Sequence, residues 1–150
     1  MGAPVGAAPI PGAPPMPRNV LIVDDERDIN DYLAGMLQAR GFEPIQLFEG
    51  SGVLEAVRRH QPDLILLDLM MPGLDGLAVC EQLKRNRETN LIPVLMVTAL
   101  NDAKNRTEGV RVGANGYLAK PFTAEQLVAA VAATLRKAAP SRPGSEAAAR

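Results

Sequence analysis

Between Asp63 and Gly76 the chain reads "DLILLDLMMPGLDG", and this stretch limits the fold more than any other. Its middle, Leu64 to Leu67, is a continuous apolar run, too short for a helix interior and followed by Pro72 and Gly73. Such a run fits a strand buried on both faces of a parallel sheet, because a half-exposed strand would alternate apolar with polar residues. Asp68 ends it with a charge. In an open α/β sheet ligands bind beyond the carboxyl ends of the strands, so an acid placed there faces the functional crevice. A strand-ending aspartate also caps turns, and on this stretch alone the two roles are equally open.

The rest of the chain repeats the pattern. "NVLIVDD" is a second buried run, ending in Asp24 and Asp25. "INDYLAGMLQARG" follows as a helix, with Ile29, Tyr32, Leu33, Met36 and Leu37 on one face and Gly41 as the stop. "FEPIQLF" alternates and holds Pro44, which suits an edge strand, and Ser51 is placed to cap a helix carrying Val53, Leu54 and Val57. After the Asp63 strand, a helix from about Asp75 turns Val79, Cys80 and Leu83 inward. "IPVLMVTAL" supplies a fourth buried strand with Thr98 at its carboxyl end. A polar helix from about Asp102 to Val112, a short strand around Gly116 to Leu118, the pair Lys120-Pro121 and a last helix opened by Thr123 complete the series. In that last helix Leu127, Val131 and Leu135 recur every four residues.

Five strands alternating with five helices predict a doubly wound α/β fold: a parallel five-stranded sheet in the flavodoxin-like order 2-1-3-4-5, with right-handed crossovers and helices on both faces. The domain is expected over residues 18–138. Residues 1–17, almost wholly Gly, Ala and Pro, read as a disordered tail, and residues 139–150 as a second tail or the start of a linker. A hydrophobic content of 47% over 150 residues is enough for one domain with a core, and a net charge of -1 offers no electrostatic footprint for nucleic acid or an anionic membrane. One cysteine, Cys80, excludes an internal disulfide and fits a reducing cytoplasm. No apolar run approaches the roughly 20 residues that span a bilayer.

Strand ends therefore gather Asp24, Asp25, Asp68, Thr98 and Lys120 at one crevice. Three carboxylates brought together repel, since two unit charges 4 Å apart cost about 4 kcal/mol at an effective dielectric of 20. A hard divalent cation relieves that repulsion, and an all-oxygen set without paired His or Cys points to Mg²⁺, or Mn²⁺, over zinc. One carboxylate is then free to attack phosphorus, with cation, lysine and hydroxyl around the transferring group.

The segments "LIVDDE", "PDLILLDLMMPGLDG", "IPVLMVTA" and "GANGYLAKPF" stand in the order and spacing of the receiver domain of bacterial two-component response regulators, which the chain resembles from Asn19 to about Lys137. That resemblance implies that Asp68 accepts the phosphoryl group, that Asp25 is a direct metal ligand and Asp24 one through water, and that the backbone carbonyl of Met70 completes the protein's share. It also implies that Thr98 and Tyr117 form a switch pair, that Lys120 pairs with the phosphoryl, and that the Lys120-Pro121 bond is cis. The expected donor is a partner sensor histidine kinase or phosphotransfer protein, because the chain has no glycine loop for ATP. The signal is expected to leave through the face made by the fourth helix, fifth strand and fifth helix, towards an effector protein or a lost output domain. Pairing of two copies through that face is compatible with it. The fourth helix, with Ala103 and Val110 as its chief apolar residues, is expected to pack weakly.

Other readings of the same residues remain. Asp25 also fits the cap of the first helix, and Tyr117 an ordinary core residue. As a whole the chain also fits a receiver-like docking module independent of phosphorylation. An aspartyl-phosphate hydrolase would place a general acid two residues past its nucleophile, where this chain has Met70, which transfers no proton. The chain is thus expected not to be a turnover enzyme, beyond its own phosphorylation and slow dephosphorylation. That slowness is expected from apolar Met70 and Leu100, which leave an attacking water without a positioning partner.

Overall fold

A computed structural model describes residues 18–71, 75–99 and 102–138. The expectations for the two tails, and that for Leu100, lie outside these residues. The order of elements is β1 (Arg18–Val23), α1 (Arg27–Ala39), β2 (Phe42–Leu47), α2 (Val53–His60), β3 (Leu64–Asp68), α3 (Gly76–Arg85), β4 (Val94–Ala99), α4 (Ala103–Val112), β5 (Gly116–Lys120) and α5 (Ala124–Ala138). All four strand pairings are parallel and the order is β2-β1-β3-β4-β5, as expected.

Alternation along the strands divides the core. Val20 and Ile22 of β1, Leu64 and Leu66 of β3, and Leu95 and Val97 of β4 meet Leu33 and Leu37 of α1 and Leu127 and Val131 of α5. Leu21, Val23, Ile65, Leu67, Val94 and Met96 face the other way, onto Val53 and Val57 of α2, Cys80 and Leu83 of α3, and Val112 of α4. Every residue of β3 is buried. Each large apolar side chain so enclosed contributes about 1.5–3 kcal/mol relative to exposure, and this sandwiching keeps the strand ends fixed enough to carry a site.

Helix ends follow local chemistry. Asp75 caps α3 by accepting from the backbone N–H groups of Leu77 and Ala78. Thr123 and Gln126 form a reciprocal capping box, Thr123 Oγ1 accepting from Gln126 N at 3.0 Å and Gln126 Oε1 accepting from Thr123 N at 2.9 Å. Gly41, with φ 93°, follows α1 as predicted, in a left-handed conformation that costs other residues more.

Two local expectations fail. Tyr32 is 63% exposed, and the inner face of α1 is made by Asn30, Leu33, Ala34 and Leu37. Ser51 does not cap α2: Gly50–Gly52 forms a tight 3₁₀ turn, Gly52 takes the cap position, and the Ser51 hydroxyl turns to Glu49. In α4, expected to pack weakly, only Gly109 and Val112 are buried, and Val110 is 67% exposed.

Candidate functional site

Asp24, Asp68 and Lys120 meet at the carboxyl ends of β1, β3 and β5. They continue the alternation of Ile22, Leu66 and Leu118, so the residues that set the core on the α1/α5 face also bring these three to one side. Asp68 is 5% exposed; its Oδ1 accepts from the backbone N–H of Met70 at 2.8 Å, and its Oδ2 lies 3.3 Å from the Lys120 ammonium. The Lys120-Pro121 bond is cis.

Asp24 is 1% exposed, and its Oδ1 accepts from the backbone N–H of Glu26 at 2.9 Å. Burial pushes its carboxyl up from the usual 3.8 to about 6; the charge of Asp68 and a hydrogen bond shared with it act the same way, against the Glu26 N–H and the Lys120 ammonium. Two buried carboxylates therefore stand against one lysine, and the neutral form of Asp24 is favoured.

The expectation that three acids converge is met by two. Among the described residues no group of three or more acids, histidines or cysteines is gathered as a metal cage. The physical reason is local: Asp24 and Asp25 are neighbours in the turn after β1, and Asp24 is buried whereas Asp25 is exposed. The pair still suits a hard divalent cation. Its donors are all oxygen, and its negative charge exceeds what Lys120 neutralises.

Thr98 is fully buried, and its hydroxyl lies 3.5 Å from Oδ2 of Asp102, the residue that caps α4 through Asn105 N. It thus sits at the end of β4 as expected, but turned towards α4. Tyr117 pairs in register with Met96, on the sheet face opposite the acids. Its ring lies beneath the Arg106 guanidinium at 5.9 Å, and its hydroxyl is buried without a hydrogen-bond partner among the described residues. The seat of that hydroxyl is Gly109: a Cβ there would overlap the Tyr117 oxygen. Burial raises the Tyr117 pKa, Cys80 adds to this, and Arg106 opposes it. Met70, 52% exposed, stands at the rim of the crevice. Sequence reasoning missed Asn30, whose fully buried amide lies behind Asp24.

Comparison with known proteins gives a consistent result. The family model described as the response regulator receiver domain matches residues 20–132. Over 122 residues the chain is 43% identical to the DNA-binding dual master transcriptional regulator RpaA of Synechocystis, covering 81% of this chain and 50% of that protein. It is 37% identical to the phosphate regulon transcriptional regulatory protein PhoB of Escherichia coli, covering 83% of this chain and 55% of that protein. The chain thus spans about half the length of these relatives. Among solved structures, the chemotaxis response regulator CheY4 of Vibrio cholerae superposes with a TM-score of 0.73 at 29% identity, covering 78% of this chain and 98% of that one.

Proposed function

The chain belongs to the receiver domain family of two-component response regulators, and from that membership and its own site we propose that it is a phosphoacceptor switch taking a phosphoryl group onto Asp68. The observation that carries this reading is the buried cluster of Asp24, Asp68 and Lys120 at the carboxyl ends of three parallel strands. In the transfer, a carboxylate oxygen of Asp68 forms a bond to phosphorus as the bond from phosphorus to the histidine nitrogen of a partner kinase or phosphotransfer protein breaks, its electron pair staying on that nitrogen.

Each residue has a distinct task. The Met70 N–H fixes the rotation of the Asp68 carboxylate, so one oxygen is held by the backbone and the other stands in the crevice beside Lys120. Lys120 offsets the charge that accumulates on the transferring oxygens. Asp24 and Asp68, with Asp25 from the same turn and the backbone carbonyl of Met70, would hold Mg²⁺ or Mn²⁺, which supplies charge neutralisation and template geometry when bound. Thr98 and Tyr117 form the switch pair: the Thr98 hydroxyl leaves Asp102 for a phosphoryl oxygen, the cap of α4 loosens, and the face of α4, β5 and α5 changes towards an effector protein or output domain.

The test is mass spectrometry after incubation with an acyl phosphate donor and Mg²⁺. Acid-labile phosphate is expected on the wild type and absent from Asp68→Asn; equal labelling of both, or labelling undiminished by chelator, overturns the assignment.

A further inference from the structure

Asn30 has no exposed surface, yet it is polar and lies on the inner face of α1, one turn before Leu33 and Ala34. A buried amide is costly unless its groups are bonded, and here they are. Its Nδ2 donates to the backbone carbonyl of Asp24 at 2.9 Å and to that of Leu47 at 3.1 Å, while its Oδ1 accepts from Gln46 Nε2 at 3.0 Å. The backbone N–H of Asp24 reaches the same Leu47 carbonyl at 3.2 Å. Asp24 is thereby held at its N–H by the end of β2, at its carbonyl by α1 and at its side chain by the Glu26 N–H.

That fixation has an electrostatic use. Two acids side by side repel, and the cheapest relief is for one to turn out to water. Asp25, one residue on, is exposed. Asp24 stays inside because its peptide is tied on both sides. We infer that Asn30 is a positioning residue for the cation site: by holding the Asp24 carbonyl it keeps that carboxylate against Asp68 and so sets the affinity for a divalent cation. This rests on the reading of Asp24 and Asp68 as the acid pair that takes Mg²⁺. Residues that orient a ligand without touching the metal commonly govern affinity by about ten- to a hundredfold.

The experiment is calorimetric titration of the whole chain with Mg²⁺, beside thermal unfolding in chelator. The set is wild type, Asn30→Ala, Gln46→Ala and a control of similar stability loss in the distant core, Leu135→Ala. Asn30→Ala is expected to weaken Mg²⁺ binding about tenfold, Gln46→Ala by less, and Leu135→Ala not at all. Should Asn30→Ala not fold, Asn30→Ser, which keeps one donor, is judged by the same criterion. Wild-type affinity in the Asn30 variant, or equal weakening in Leu135→Ala, overturns the inference and leaves a plain structural staple. A wild type that binds no Mg²⁺ overturns the reading of the acid pair, and this inference with it.

Discussion

The Lys120 ammonium stands 3.3 Å from Oδ2 of Asp68, although β4 separates their strands in the sheet. It is the nearby cation against two buried carboxylates, so its removal leaves their repulsion uncompensated. Lys120→Ala is expected to lose roughly 1–3 kcal/mol, less than a fully buried pair because the Lys120 side chain is 28% exposed. Added Mg²⁺ should restore part of the loss. Thermal unfolding with and without chelator checks this, and an unchanged melting temperature would show that the pair carries no energy.

Asp24 makes stability depend on pH in the metal-free protein. Its folded pKa, about 6, lies above the usual 3.8, so the folded state favours the neutral acid. That contribution is fully present below 3.8 and is lost as pH rises through about 6. In chelator, unfolding free energy should fall by about 2–3 kcal/mol between pH 4 and pH 7 from this group. Asp24→Asn should flatten the profile, and urea titrations across the range measure it.

Tyr117 buries a hydroxyl that bonds to none of the described residues. Tyr117→Phe should therefore be neutral or stabilise by up to about 1 kcal/mol, since an unsatisfied polar group disappears. Gly109→Ala should instead expel the ring, because a Cβ and the Tyr117 hydroxyl cannot share the space. Ring proton chemical shifts would report the expulsion; a ring left in place contradicts the seat.

Met70, at the rim of the crevice, is expected to influence how long a phosphoryl group lasts on Asp68. Replacing it, with Leu100, by water-orienting side chains (Met70→Asn with Leu100→Glu) should shorten the lifetime about tenfold, equal to roughly 1.4 kcal/mol of barrier. Following the decay of acid-labile phosphate decides it. An unchanged rate in the double variant would remove both positions from the water's path.

Cys80 has no exposed surface, and burial pushes its thiol up to about 11, with Glu81 adding to and Lys84 opposing the shift. It should stay unmodified by iodoacetamide at neutral pH and react after unfolding, as mass spectrometry will show. Rapid labelling of the folded chain would mean that α3 opens far more than its packing implies.

The site was legible where residues terminate apolar runs. Asp68 follows Leu67 and Asp24 follows Val23, so strand assignment alone placed them at one edge. Lys120 needed more, because a strand ending at Leu118 stops short of it; β5 runs to Lys120. What escaped were contacts that depend on three-dimensional closure. Asn30 shares the 30, 33, 34, 37 stripe of α1, but a scan for apolar residues passes over an amide. Tyr32 lies just off that stripe, which is why it faces water. Gly109 carries no side chain to announce burial, and only the position of the Tyr117 ring explains it. Asp25 looked equivalent to Asp24 in sequence, whereas the turn gives the two opposite surroundings.

The slight hold of α4 on the sheet fixes an energy scale for signalling. Of its ten residues only Gly109 and Val112 are buried, so the helix's own side chains add little more than one buried valine, about 1.5–3 kcal/mol, beside the cover that Gly109 gives Tyr117 and Met96. Reversing a population from one in ten to ten to one takes about 2.8 kcal/mol. A single hydrogen bond to a charged group contributes about 1.5–3 kcal/mol. For the shift of α4 proposed above, one bond made by Thr98 is thus of the same size as the burial of the helix's own side chains, and a small displacement that keeps Tyr117 and Met96 covered lies within its reach.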